Sequence, residues 1–306
     1  MYSPSYLELY ESGQLEDRVD QLTEISQPCR QCPHLCNVER TPGSLGVCKS
    51  PREPRVSSAF AHFGEEAPLV GRMGSGTIFF CGCNLRCIFC QNWEISHGPD
   101  HGEVLSAEEL ASLMLNLQRH GCHNINLVTP THYMHAIAAA LLIAVEKGLS
   151  LPIVYNCGGY ESLEVLALLE GVVDIYMPDT KFFDDQVGER FLTAKDYGTR
   201  AREALRAMHA QVGELKTTPD GIAYRGLLIR HLVMPGSLAG TGKWARWIAR
   251  ELSPDSYVNI MGQYRPAYHA VGDPQIGRRP GHKELLDARE EALAAGLSGR
   301  GFIKEI

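Results

Sequence analysis

From Thr77 onward, short apolar runs alternate with longer stretches of helical period, and this repeat limits the fold more than any other feature of the chain. Thr77 to Phe80 (TIFF) reads as a strand. Ser106 to Gly121 follows as a helix that opens with a Ser-x-x-Glu capping pattern and ends on glycine. The same order returns in Asn124 to Val128 with His132 to Gly148, and in Pro152 to Asn156 with Tyr160 to Gly171. Val173 to Met177 then precedes a charged helical stretch ending near Gln211. The pattern closes with GLLIRHLVM, a helix near Thr241 to Leu252, the strand Tyr257 to Met261 and a last helix near Lys283 to Gly296. Six β-then-α units imply an α/β fold with a parallel sheet and right-handed crossovers. Six units fit an open or partial (β/α)6 barrel, and a flat doubly wound sheet is the alternative that periodicity leaves standing. In both, ligands gather at the C-terminal ends of the strands. The segments to search are therefore CGCNLRC, TPTHY, NCGGY, PDTKFF, PGS and GQYRP.

Of 306 residues, 44% are hydrophobic and 21% charged, which suits a globular protein with one large domain and a small appendage. A net charge of -7 without a long basic run argues against nucleic acid or anionic membrane as a partner. The opening MYSPSYLELYESGQ lacks a charged region followed by an apolar core, so no secretory signal is expected. The longest apolar run, Ala136 to Val145, falls well short of the roughly 20 residues needed to span a bilayer. A cytoplasmic protein is expected. In a reducing compartment ten cysteines point to metal binding or catalysis rather than to disulfides. Eight of them lie between Cys29 and Cys90; Cys122 and Cys157 stand alone and read as small buried hydrophobes.

Cys83, Cys87 and Cys90 are spaced C-x3-C-x2-C directly after the first strand. Three thiolates on one short loop can reach three irons of a cubane iron-sulfur cluster and leave the fourth iron open. The alternative is zinc, which as a structural ion takes four ligands. Cys81 is the available fourth, and because side chains alternate along a strand it can face the same way as Cys83. Spacing alone leaves both readings open.

The motif, with the aromatic Phe89 just before its last cysteine, resembles the signature of radical S-adenosylmethionine (SAM) enzymes. That resemblance implies a 4Fe-4S cluster on Cys83, Cys87 and Cys90, SAM chelated to the open iron, and Phe89 as an adenine contact. Cys81 falls outside the motif. The segments GSGTIFFCGCNLRCIFCQNWEIS, NINLVTPTHY, PIVYNCGGYE, VDIYMPDTKFF, RHLVMPG and NIMGQYRP resemble a subgroup related to the pyruvate formate-lyase activating enzyme, and the similarity spans nearly the whole chain. It implies a partial (β/α)6 barrel. Two segments depart from the activating enzymes. Their Gly-Gly-Glu at the end of the second strand is VTPTH here, with Thr129, Thr131 and His132 as the polar residues on offer. An acidic residue at the end of the third strand is replaced in YNCGG, where Asn156 is the candidate. PDTK keeps the Asp-x-Lys pattern, so Asp179 and Lys181 are candidates for orienting the methionine carboxylate, with a monovalent cation as an additional expectation. An ordinary surface pair after a buried strand is the competing account of these two.

Cys29, Cys32, Cys36 and Cys48 follow C-x2-C-x3-C-x11-C, a pattern that suits a second metal site, either zinc or another iron-sulfur cluster, with His34 as a spare ligand. Residues 1–70 are thus expected to form a cysteine-rich segment and 71–306 the barrel with a C-terminal helix. His62, Glu65 and Glu66 read as a solvated loop, with an approach to the site as the alternative. Arg230 and His231 lie within a strand and need partners, in a structural network or on a ligand. Gln263 and Tyr264 end the last strand and are candidates to face the pocket. No Ser-His-Asp spacing, P-loop or G-x-G-x-x-G fingerprint supports a hydrolase or dehydrogenase.

The expected activity is that of a radical SAM oxidoreductase. An external one-electron reductant of flavodoxin or ferredoxin type reduces the cluster, and cleavage of SAM gives methionine and a 5'-deoxyadenosyl radical that abstracts a substrate hydrogen. Activation of a glycyl-radical enzyme is the first target by family association. Action on a small molecule is the second, and a non-catalytic electron carrier or zinc-stabilised interaction module is the third.

Overall fold

The computed structural model describes residues 2–98 and 102–302. Among the described residues, one nine-stranded sheet organises the fold. Its strands are β1 (Arg55–His62), β2 (Ser75–Phe80), β3 (Glu103–Val104), β4 (Ile125–Val128), β5 (Ile153–Cys157), β6 (Ile175–Thr180), β7 (Lys216–Thr217), β8 (Ala223–Leu232) and β9 (Tyr257–Met261). Parallel pairing runs β2-β4-β5-β6-β8-β9, so the six units lie side by side in chain order. A doubly wound sheet reverses its order at a switch point. This one does not, and the flat doubly wound alternative falls.

The crossover helices follow the sequence pattern. Ser106 Oγ accepts the Glu109 N–H at 3.2 Å while Glu109 Oε2 accepts the Ser106 N–H at 2.7 Å, the reciprocal bonds expected at the start of Ala107–Arg119. The stretch expected as one helix up to Gln211 is two, Asp185–Phe191 and Tyr197–Val212. The segment Tyr160 to Gly171 keeps helical form only over Leu163–Leu168.

The two faces of the sheet differ. On one, Ile78, Ile125, Leu127, Tyr155, Tyr176, Leu227 and Ile229 pack with the crossover helices into the main core. On the other, Val154, Ile175, Met177 and Leu228 form a separate small core with Leu69, Leu215 and Ala223. Burying one such side chain contributes about 1.5–3 kcal/mol. Alternation along each strand then sends Asn156, Asp179 and Arg230, each two residues beyond a member of this small core, to that same face. The second face is therefore apolar toward the strand starts and polar toward their C-terminal ends.

Three differences from the sequence reading bear on the site. Residues 55–62, expected within the cysteine-rich segment, belong to the sheet: β1 pairs antiparallel with β2, so the sheet reaches into the range 1–70. β6 continues past Met177 through Pro178 and Asp179 to Thr180. At the far edge, the Val258 N–H of β9 donates to Arg300 O at 3.0 Å, and the C-terminal segment covers that strand. Among the described residues, no helix is long and apolar enough to cross a membrane.

Candidate active site

β2 delivers the chain to Gly82, where φ is +83° and an added Cβ would lie 2.0 Å from Ser50 Oγ. Only glycine fits this close approach. The loop that follows is held from several sides. The Leu85 N–H donates to Cys83 Sγ at 3.4 Å, and Asn84 Nδ2 donates to Tyr160 O at 2.8 Å. Thr193 Oγ1 donates to Leu85 O at 2.9 Å, and the Ile88 N–H donates to Phe191 O at 3.1 Å. Cys90 Sγ stands 3.1 Å from Ser96 Oγ.

Cys83, Cys87 and Cys90 line one solvent-open cavity of about 140 Å³ together with Thr129, Asn156, Cys157, Asp179, Lys181 and Arg230. Six of these nine side chains come from the ends of β4, β5, β6 and β8, where the parallel order predicts ligands to gather. Burial pushes the Cys83 thiol up to about 11, helped by Cys90 and opposed by the Arg86 and Leu85 N–H groups and by Lys181. Burial raises Cys87 as well, with Lys181 pulling the other way.

Opposite the thiols sits a compact ionic group. Lys181 Nζ donates to Asp179 Oδ2 at 2.9 Å and Arg230 Nε to Asp179 Oδ1 at 2.8 Å. Arg230 Nη2 donates to Asn156 Oδ1 at 2.8 Å, and its Nη1 lies 3.4 Å from Glu65 Oε2. The side chains of Lys181 and Asp179 are 13% and 21% exposed, so the surface-pair account of PDTK is excluded. Burial alone would raise Asp179; Arg230 and Lys181 outweigh it and hold the carboxyl below the usual carboxylate range. Asp179 in turn keeps Lys181 and Arg230 charged against their own burial. Each oxygen of Asp179 thus accepts from one cationic side chain.

Other candidates are placed as follows. Of the three polar residues on offer after β4, Thr129 lines the cavity, in a left-handed conformation with φ +58°. Thr131 Oγ1 instead donates to Glu161 Oε1 at 3.0 Å, and His132 Nε2 bonds Cys81 O at 2.8 Å. Phe89 is buried with its ring edge-on to Phe182 and Tyr264, behind the loop. Tyr264 donates its hydroxyl to Ile276 O at 2.7 Å, whereas Gln263 lines a second cavity. His231 points to the opposite face from Arg230 and joins Thr180 and Thr241 in a structural network; burial lowers it to about 4. Glu65, expected as solvated loop, has a side chain only 7% exposed and pairs with Arg230. Cys81 is buried beside Gly102, whose added Cβ would meet Cys81 Sγ at 2.8 Å.

Cys29, Cys32 and Cys48 are buried and Cys36 is half-buried. The thiols of Cys29 and Cys32 lie within electrostatic reach of Cys36 and Cys48. An added Cβ on Gly46 would stand 2.9 Å from Cys36 Sγ. His34, expected as a spare ligand for this set, bonds Asn84 O at 2.8 Å and so ties the segment to the central cysteine loop. Among the described residues, no three His, Cys, Asp or Glu side chains are gathered as a ready single-ion site.

Glu161 escaped the sequence reading. It is buried, with Tyr155 Oη donating to it at 2.7 Å in addition to Thr131. Burial raises its carboxyl to about 7 despite these donors and the Cys157 thiol. A glutamate set between glycines, tyrosine and a leucine-rich helix in GGYESLEVL was the available signal.

Residues 77–222 match the family model of the radical SAM superfamily. The uncharacterized protein MJ0674 of Methanocaldococcus jannaschii is 35% identical over 295 residues, covering 94% of this chain and 80% of that protein. Among solved structures, Streptococcus suis SuiB bound to S-adenosylmethionine aligns with a TM-score of 0.46 and 11% identity. That alignment takes in 72% of this chain, which spans 47% of SuiB.

Proposed function

The chain belongs to one family with the Methanocaldococcus jannaschii protein and carries a radical SAM superfamily domain over residues 77–222, and from that premise we propose that it is a radical SAM enzyme. The observation that carries this reading is the meeting of Cys83, Cys87 and Cys90 with Asn156, Asp179, Lys181 and Arg230 around one cavity. The three thiols suit a 4Fe-4S cluster with one iron left open. When bound, the cluster and SAM supply a one-electron cleavage that yields methionine and a 5'-deoxyadenosyl radical able to abstract hydrogen.

The side chains around the cavity divide the remaining work. Lys181 and Arg230 present positive charge suited to the methionine carboxylate, and Asp179 holds both in place rather than meeting the carboxylate itself. Asn156 accepts from Arg230 through Oδ1, which leaves Nδ2 as its donor toward the ligand. Phe89, the residue expected to meet the adenine, sits within the ring cluster of Phe182 and Tyr264, and its contact with the ligand would be made from there. The six parallel strands form the wall of a partial (β/α)6 barrel, and the apolar plug of Val154, Ile175, Met177 and Leu228 seals its floor against water.

An external one-electron reductant supplies the electron, and Cys29, Cys32, Cys36 and Cys48 are the residues that would have to draw together to hold a second cluster or a zinc ion. The hydrogen donor is a backbone glycine of a partner enzyme on the family association, or a small molecule. The deciding experiment is anaerobic reconstitution with iron and sulfide, followed by dithionite and SAM. Formation of 5'-deoxyadenosine and methionine is expected. A fully loaded cluster that yields neither product would refute the assignment.

A further inference from the structure

The ladder between β5 and β6 begins with Val154 opposite Ile175 and ends with Cys157 opposite Pro178. Proline has no N–H to give, so the pairing stops just where Asn156, Asp179 and Lys181 reach the cavity. On its other side β6 stays paired with β8 as far as Thr180. Only the seam toward β5 is open, and one side chain closes it. The Lys181 N–H donates to Tyr197 Oη at 3.0 Å, and the same oxygen stands 2.9 Å from Gly158 O and 2.9 Å from Asp179 O. A phenol has one proton, which the two carbonyls share while the oxygen accepts the amide. Gly158 follows β5, whereas Asp179 and Lys181 belong to the end of β6 and the residue after it. The hydroxyl therefore fastens the two strand ends where the sheet no longer does.

The surroundings keep that fastening rigid. Tyr197 opens the helix Tyr197–Val212 and is 0% exposed, its ring 6.4 Å from that of Tyr160 and stacked on it. Burial raises its hydroxyl, with Lys181 pulling the other way, so the proton stays in place to be donated. An added Cβ on Gly159 would lie 2.6 Å from Asp179 O and 3.3 Å from Tyr197 Oη, so the seam is close-packed as well as bonded. The backbone atoms that Tyr197 holds are those of Asp179 and Lys181, the two residues whose side chains pair at 2.9 Å opposite the thiols. Any shift of either strand end carries that pair with it.

We infer that Tyr197 is a positioning residue: its hydroxyl fixes the ends of β5 and β6 so that Lys181 and Asp179 present their ion pair to the ligand in the cysteine-lined cavity. That the ligand is SAM rests on the radical SAM reading; the fastening of the strand ends does not.

Tyr197→Phe keeps the ring and removes only the hydroxyl. In the cluster-free chain, exchange of the Lys181 amide with deuterium is expected to quicken by at least about tenfold. In the cluster-loaded chain, calorimetric titration of SAM should give an affinity about tenfold weaker per loaded cluster, while 5'-deoxyadenosine formation at saturating SAM stays within a few-fold. Tyr176→Phe controls for the loss of a buried hydroxyl as such. Tyr176 is also 0% exposed and donates to Gln211 Oε1 at 2.7 Å on the helix-covered face of the sheet, so both readings should stay at wild type. 4-Aminophenylalanine in place of Tyr197 returns N–H donors to the two carbonyls and should bring SAM affinity to within a few-fold of wild type, which also decides the matter if Tyr197→Phe does not fold. Unchanged Lys181 exchange or SAM affinity in Tyr197→Phe, equal weakening in Tyr176→Phe, or no recovery with 4-aminophenylalanine would each overturn the inference. If Lys181 exchange quickens as expected while the loaded wild-type chain binds no SAM, the radical SAM reading fails and the fastening of the strand ends stands.

Discussion

Replacing Glu161 with glutamine isolates the effect of one buried charge. Burial lifts this carboxyl from 4.5 to about 7, against the pull of the Tyr155, Thr131 and Cys157 donors. In the unfolded chain the group returns to its ordinary value. Because the folded value is raised, the folded protein binds the proton more tightly. The stability this contributes is complete below the unfolded value of 4.5 and is lost as pH rises through the folded value of about 7. The interval is equivalent to about 3 kcal/mol. Glutamine has the same shape, keeps an oxygen for the Tyr155 hydroxyl at 2.7 Å, and never ionises. Glu161→Gln is therefore expected to unfold like wild type near pH 5 and to exceed it by up to about 3 kcal/mol near pH 8. Urea unfolding followed by far-ultraviolet circular dichroism across that range measures the difference, on chain prepared without cluster so that metal release does not contribute. Two curves separated by the same amount at every pH would refute the reasoning, because a lost contact that does not titrate gives that result.

Cys81→Ser is expected to keep iron and sulfide at wild-type levels after reconstitution, whereas serine at Cys83, Cys87 or Cys90 should lower both; elemental analysis decides, and loss of iron in Cys81→Ser would restore the four-ligand alternative. Asp179→Asn releases Lys181 and Arg230 from their shared partner, so the SAM concentration giving half-maximal 5'-deoxyadenosine should rise by about tenfold, read from product against SAM concentration. Gly159→Ala sets a Cβ 2.6 Å from Asp179 O at a φ of +83°, and a loss of about 1–3 kcal/mol in urea unfolding is expected together with weakened SAM binding.

The strands of the parallel run were legible because they are buried on both faces: IVYNC is buried at every position, and such segments read as unbroken apolar runs. β1 was not, because RVSSAFAH carries two serines and a histidine and is largely half-exposed on an antiparallel flank of the sheet. Pro178 hid the true end of β6, since proline gives no N–H to a ladder and is rarely a strand interior. The cysteine loop was legible as a motif, and its neighbours Asn156, Asp179 and Lys181 as strand ends. What joins Glu65 to Arg230 is a contact between residues 165 positions apart, which spacing cannot reveal. Arg230 and His231 looked like a pair, yet adjacent residues on a strand face opposite ways, and only the fold showed which belonged to the cavity.

The bond from Val258 to Arg300 O bears on how the protein behaves in company. A parallel sheet that stops at β9 ends in a row of backbone donors and acceptors that another chain's strand can adopt. The segment around Arg300 takes up one of these donors, the Val258 N–H, and is anchored by Ser298 N–H donating to Pro254 O at 2.9 Å and by the Arg300 guanidinium on Leu215 O. It works as a guard on the sheet edge, remote in sequence from the chemistry. A chain shortened to end before Ser298 is expected to self-associate, visible by light scattering, with the cysteine loop and its cavity left intact.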